Sequence, residues 1–227
     1  MRFILCFLIG CMPLCSVAQN DISISFHHQI HHQKLILNER SRISPQSDSV
    51  IITTLKYYIS SIQLLWQGKT VFRESNSHHL LNIEESKSCT FPLHTPKNIH
   101  FDQMEFCVGI DSISNVSGAL GGDLDPTLGM YWTWQSGYIN FKLEGIHPKC
   151  PSRKNEFQFH IGGYQMPYYP LQEIKLSIPN KKQIDIYLQL EKLMANLDFK
   201  TQKSIMIPGK EAMDFSKRFT QMFSTAQ

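Results

Sequence analysis

Residues 22–30, Ile22-Ser23-Ile24-Ser25-Phe26-His27-His28-Gln29-Ile30, alternate strictly between two kinds of side chain. A strand turns successive side chains to opposite faces, so Ile22, Ile24, Phe26, His28 and Ile30 form one row and Ser23, Ser25, His27 and Gln29 the other. The first row is the one that faces a core, and it carries a histidine inward.

The same period recurs along the chain. In residues 55–66, Leu55, Tyr57 and Ile59 share one row and Ile62, Leu64 and Trp66 the opposite one, so the parity change at Ser60-Ser61 predicts a β-bulge. Further runs are Met104, Phe106, Val108, Ile110; Ile139, Phe141, Leu143; Ile174, Leu176, Ile178; and Ile184, Ile186, Leu188, Leu190. Together they predict a mainly β fold, an antiparallel β-sandwich or barrel. Two segments differ. Residues 111–130, rich in Gly, Asp, Ser and Asn, have no apolar period and predict a long ordered loop. After Pro208-Gly209, the spacing of Ala212, Phe215, Phe219, Met222 and Phe223 predicts one C-terminal amphipathic helix packed on the sheet.

The chain of 227 residues, 42% of them hydrophobic, suits one domain around one core. That domain is expected over residues 19–227, because residues 1–18 read as an export signal: one Arg, an apolar run from Phe3 to Leu14, then Ser16-Val17-Ala18 as a small-x-small cleavage pattern. The mature protein is then expected in the periplasm or cell envelope. A rival reading of Leu8-Ile9-Gly10-Cys11 as a lipoprotein box would leave Cys11 lipidated. No later apolar stretch is long enough for a transmembrane segment. With 22 Lys+Arg against 19 Asp+Glu, the formal charge of +3 is too small for the basic stripe of a nucleic-acid partner.

Cleavage removes Cys6, Cys11 and Cys15 and leaves Cys89, Cys107 and Cys150, an odd set with no C-x-x-C pair and room for one bridge at most. Ten histidines are many for this length. Neutral imidazole suits copper and zinc, so histidine is the candidate chemistry. His28 belongs to the inward row, whereas His27 shares the serine face. His79 lies in the row His79, Leu81, Ile83, with His78 on the other face. In Phe157-Gln158-Phe159-His160-Ile161-Gly162-Gly163, alternation sets His160 opposite the phenylalanines. The tract His27, His28, His31, His32 can equally be a solvated run. Asp111, Asp123 and Asp125 share a glycine-rich loop and suggest calcium as a minor alternative, without the spacing of an EF-hand. Nucleophile-elbow, P-loop, dinucleotide and H-E-x-x-H patterns are absent, so no enzyme activity is expected.

The run from Val108 to Gly145, VGIDSISNVSGALGGDLDPTLGMYWTWQSGYINFKLEG, resembles the signature of the MbnP family, periplasmic proteins associated with methanobactin and copper handling and related to the copper proteins CorA and MopE. Phe26-His28 followed by Leu35-Ile36-Leu37, Leu55-Lys56-Tyr57-Tyr58-Ile59-Ser60, His79-Leu80, Phe157-Phe159-His160-Ile161-Gly162-Gly163 and the ending from Pro208-Gly209 to Met222-Phe223 agree with it in order. The resemblance implies a mononuclear copper, Cu(I) or Cu(II), held by His28, His79 and His160. It also implies a di-haem peroxidase-like, MbnH-type partner, which in relatives oxidises a tryptophan near the metal to kynurenine. Shortly after His28 this chain has His32 and Gln33 instead. Two other functions compete: a structural or carbohydrate-binding sandwich with Trp132, Trp134 and Tyr138 as a stacking platform, and a metalloenzyme with an open copper position.

Overall fold

The computed structural model describes residues 19–44, 49–134 and 137–225. The leader read at residues 1–18, with Cys11, lies outside them. In chain order the strands are β1 (Gln19–Ile30), β2 (Gln33–Lys34), β3 (Arg40–Arg42), β4 (Ser49–Trp66), β5 (Lys69–Arg73), β6 (His78–Asn82), β7 (Thr90–Pro96), β8 (Gln103–Val108), β9 (Tyr131–Trp132), β10 (Gly137–Ile146), β11 (Glu156–Gly162), β12 (Gln172–Ser177), β13 (Gln183–Gln189), β14 (Ser204–Ile205) and β15 (Phe223–Thr225). Four short helices intervene: α1 (Ser112–Val116), α2 (Leu190–Met194), α3 (Lys210–Ser216) and α4 (Phe219–Met222).

Two sheets result. The smaller runs β15-β13-β1-β2, with β7 on the remaining edge of β1. The larger runs β12-β8-β4-β10-β11-β14, and the long β4 also pairs with β3, β5 and β6. The inner rows meet between the sheets: Ile22, Ile24 and Phe26 from β1 pack with Leu55, Tyr57 and Ile59 from β4 and with Phe141, Leu143, Phe157 and Phe159 from β10 and β11. Phe215 and Phe219 close one end of this core. The parity change in β4 is a bulge. Ser61 sits at φ 55°, and the β4–β8 register slips between Ser60 and Gln63. The bulge lets Ile62 and Leu64 join the same core as Ile59.

A second, smaller core lies on the outer face of the larger sheet, where Tyr58, Leu80, Ile110, Leu124, Met130, Trp132, Tyr138 and Ile139 pack beneath residues 111–132. The larger sheet is therefore covered on both faces, which decides where the histidines can meet.

Gly145 marks a close approach within that sheet. A Cβ there would collide with the Ile51 carbonyl oxygen and come within 2.6 Å of Phe157 Cζ. Gly145→Ala should cost roughly 1–3 kcal/mol, read as a lower urea midpoint at unchanged m-value.

The structure corrects three details. The sheets are mixed rather than purely antiparallel, since β1 runs parallel to β13 and β11 parallel to β14; period 2 is common to both pairings and does not encode direction. The segment 111–130 contains α1 and two 3-10 turns, because Asp111 and Asp125 cap short helical turns. The C-terminal run is helical as α3 and α4, linked through Lys217 and Arg218 with right-handed helical backbone, but it stops before Phe223, which joins β15 opposite Leu188, where the edge of β13 offers backbone partners. Its five apolar positions are all buried. No helix among the described residues is long and apolar enough to cross a membrane.

Candidate functional site

His28 projects from β1 into the space between the sheets. Only 8% exposed, it lies with Nε2 2.9 Å from the Tyr57 hydroxyl, and the Tyr57 ring is wholly buried on β4. Burial pushes the His28 pKa down to about 3, helped by the neighbouring charge of His27, while burial raises that of Tyr57. His28 is therefore a neutral imidazole, the protonation state that binds a metal. Beside it a cavity of about 400 Å³ opens, lined among others by His32, Lys34, Ile83, Cys89 and Tyr187.

His79 sits on β6 directly opposite Ile59 and so shares its inward face. Its ring stacks on Phe91 at 3.8 Å, and Phe91 in turn stacks on Phe26, the neighbour of His28 in the inner row. Nε2–H of His79 donates to Glu74 Oε2 at 2.8 Å. A carboxylate only accepts, so it fixes this tautomer and leaves Nδ1 as the acceptor nitrogen, the arrangement that orients many metal-binding histidines. His78 points the other way, to Ser114 Oγ at 3.2 Å.

His160 has the same device on the wrong side. Its Nε2–H donates to Glu144 Oε1 at 2.6 Å, and Thr54 donates to Glu144 Oε2. That hydrogen bond, chiefly, holds the Glu144 carboxyl below its usual pKa. But His160 pairs with Lys142 across the ladder, while Phe157 and Phe159 of the same strand enter the inner core. Lys142 reaches the Gly129 carbonyl and Lys56 the Leu128 carbonyl, so this is the outer face. In this structure His28 and His79 lie on one side of the larger sheet and His160 on the other. Among the described residues, no group of three or more His, Cys, Asp or Glu side chains is placed to hold a metal ion.

The loop carboxylates have local work. Asp111 accepts from Ser114 N, Asp125 from Thr127 N, and Asp123 Oδ2 from Leu80 N. Trp132 and Tyr138 are buried and Trp134 is 61% exposed, so the three do not form one open stacking platform. Cys89, Cys107 and Cys150 are free thiols. Sequence reasoning missed the groups that orient the imidazoles, Tyr57, Glu74 and Glu144. Tyr57 was within reach, since a hydroxyl in an inward row demands a partner.

A search of curated proteins finds no match. Among solved structures, MbnP from Methylosinus trichosporium superposes with a TM-score of 0.62 at 14% identity, over 81% of this chain and 80% of that one. That identity speaks for the fold alone. The profile of the MbnP family matches residues 19–207, the span that holds every strand but β15 and every histidine described above, and on this ground the chain belongs to the MbnP family.

Proposed function

We propose that this protein is an exported, non-enzymatic copper-handling protein of the cell envelope, which carries copper as cargo on His28 and His79. The observation that supports this reading best is His28 itself, a buried imidazole kept neutral in the inner row of β1. His79 adds a second imidazole on the same side, oriented by Glu74. Neutral nitrogen donors suit copper in either oxidation state. His160, across the sheet, is left out of the site.

Copper titration of the mature protein against a competing chelator tests this reading. The parent should bind near one copper per chain. His28→Ala and His79→Ala should each weaken binding at least about tenfold, because a direct ligand is worth no less than its orienting partner. His160→Ala should change affinity little. A His160→Ala loss equal to that of His28→Ala would restore the three-imidazole site, and a parent without bound copper would end the reading.

A further inference from the structure

We propose that the outer face of the smaller sheet carries a binding site for a sugar bearing a carboxylate, with Gln29, Gln189 and Lys192 as its recognition groups. The site is separate from the copper reading and does not depend on it.

Strand pairing builds the face. In β1 and β13, which run parallel, Gln29 lies beside Gln189 and His27 beside Tyr187, and Tyr187 in turn lies beside Ser224 of β15. Paired residues turn their side chains to the same side, so these groups share the face opposite the inner row of Ile22, Ile24, Phe26 and His28. A cavity of about 610 Å³ opens over them, with His32 from the turn after β1 and Lys192 from α2 in its walls. That is room for a small polar ligand.

The chain leaves two carboxamides in this cavity unsatisfied. Gln29 and Gln189 are each only 8% exposed. Gln189 Oε1 is buried without a hydrogen-bond partner, and the Gln29 side chain makes no hydrogen bond among the described residues. Buried polar groups are nearly always paired, so two amides left open side by side on a cavity wall mark the place of a ligand. Their neighbours are committed within the fold: His27 donates to Asp185 and stacks on Tyr187, and the Thr225 hydroxyl donates to the Ser177 carbonyl.

The lining chooses the ligand class. A carboxamide both donates and accepts, and so does each hydroxyl of a sugar, whereas a simple anion offers acceptors only and leaves Gln189 Oε1 unmet. The half-buried Tyr187 ring adds a flat surface beside the pair. No Asp or Glu among the described residues lines the cavity, and Lys192 has no ion-pair partner among them, so a carboxylate on the sugar completes the set.

Isothermal titration calorimetry of the metal-free mature protein with glucuronate, galacturonate, glucose and galactose tests the proposal. At least one uronate should bind, and its neutral counterpart at least about tenfold more weakly. Lys192→Ala should bring that uronate to the level of the neutral sugar. Gln189→Met should weaken the uronate at least about tenfold while its urea midpoint stays at or above that of the parent, because the carboxamide it removes has no partner in the fold. Far-UV circular dichroism checks folding, and Gln29→Met replaces the first variant if that fails. Absence of binding for all four sugars, or parental affinity in the folded glutamine variant, overturns the site. A lower urea midpoint in both glutamine variants overturns it as well, since the fold itself would then be using the carboxamides. Equal affinity for uronate and neutral sugar overturns the role of Lys192 and of the acid group.

Discussion

Trp132→Ala should lower stability by about 3–5 kcal/mol while leaving copper affinity near that of the parent. Trp132 is 6% exposed and sits in the outer core with Tyr58, Leu80, Ile110, Leu124, Met130 and Tyr138. Gly162 makes room for it: a Cβ there would stand 2.8 Å from the indole Cζ3. Truncation empties a volume that this sheet cannot collapse into, because Tyr138 is pinned by its hydroxyl to the carbonyls of Gly118 and Leu124. In a chain of this size the loss corresponds to roughly 10 °C in Tm. His28 and Tyr57 face the opposite side of the larger sheet, so the variant should retain its metal. Unchanged melting together with lost copper would place Trp132 in the metal site and overturn this division of the sheet into a structural and a binding face.

That division was half legible in the sequence. The rows Ile22 to Ile30 and Leu55 to Ile59 announced their inner faces because a half-buried strand writes its environment at period 2. The bulge at Ser60-Ser61 was readable for the same reason, since only a slipped register reverses parity. Pairing direction was not readable, and neither was the end of α4, where Phe223 suits a helix and a strand equally when both are buried. The histidines divide along the same line. Alternation alone set His28 inward and His160 opposite Phe157 and Phe159, and the structure agrees with both placements. The resemblance to relatives drew His160 into a single site with the others, which residue matching can do without knowing which face of a sheet each residue occupies.

Acid should destabilise the metal-free protein through His28, and His28→Gln should remove that sensitivity. The imidazole has a pKa of about 3 when folded, chiefly from burial, against about 6.5 in an unfolded chain. Between those values the unfolded state binds a proton that the folded state refuses, so the stability difference is complete above pH 6.5 and drains away as pH falls toward 3. Each unit is worth about 1.4 kcal/mol, so the parent should lose about 2 kcal/mol more than the variant between pH 7 and pH 5, and about 3 kcal/mol more by pH 4. Glutamine can still meet the Tyr57 hydroxyl and cannot titrate, which separates the proton from the hydrogen bond. Urea unfolding at a series of pH values, with a chelator present, measures the difference. Parallel curves for parent and variant would mean that His28 is protonated as easily in the fold as in water. It would then not be the buried neutral donor on which the copper reading depends.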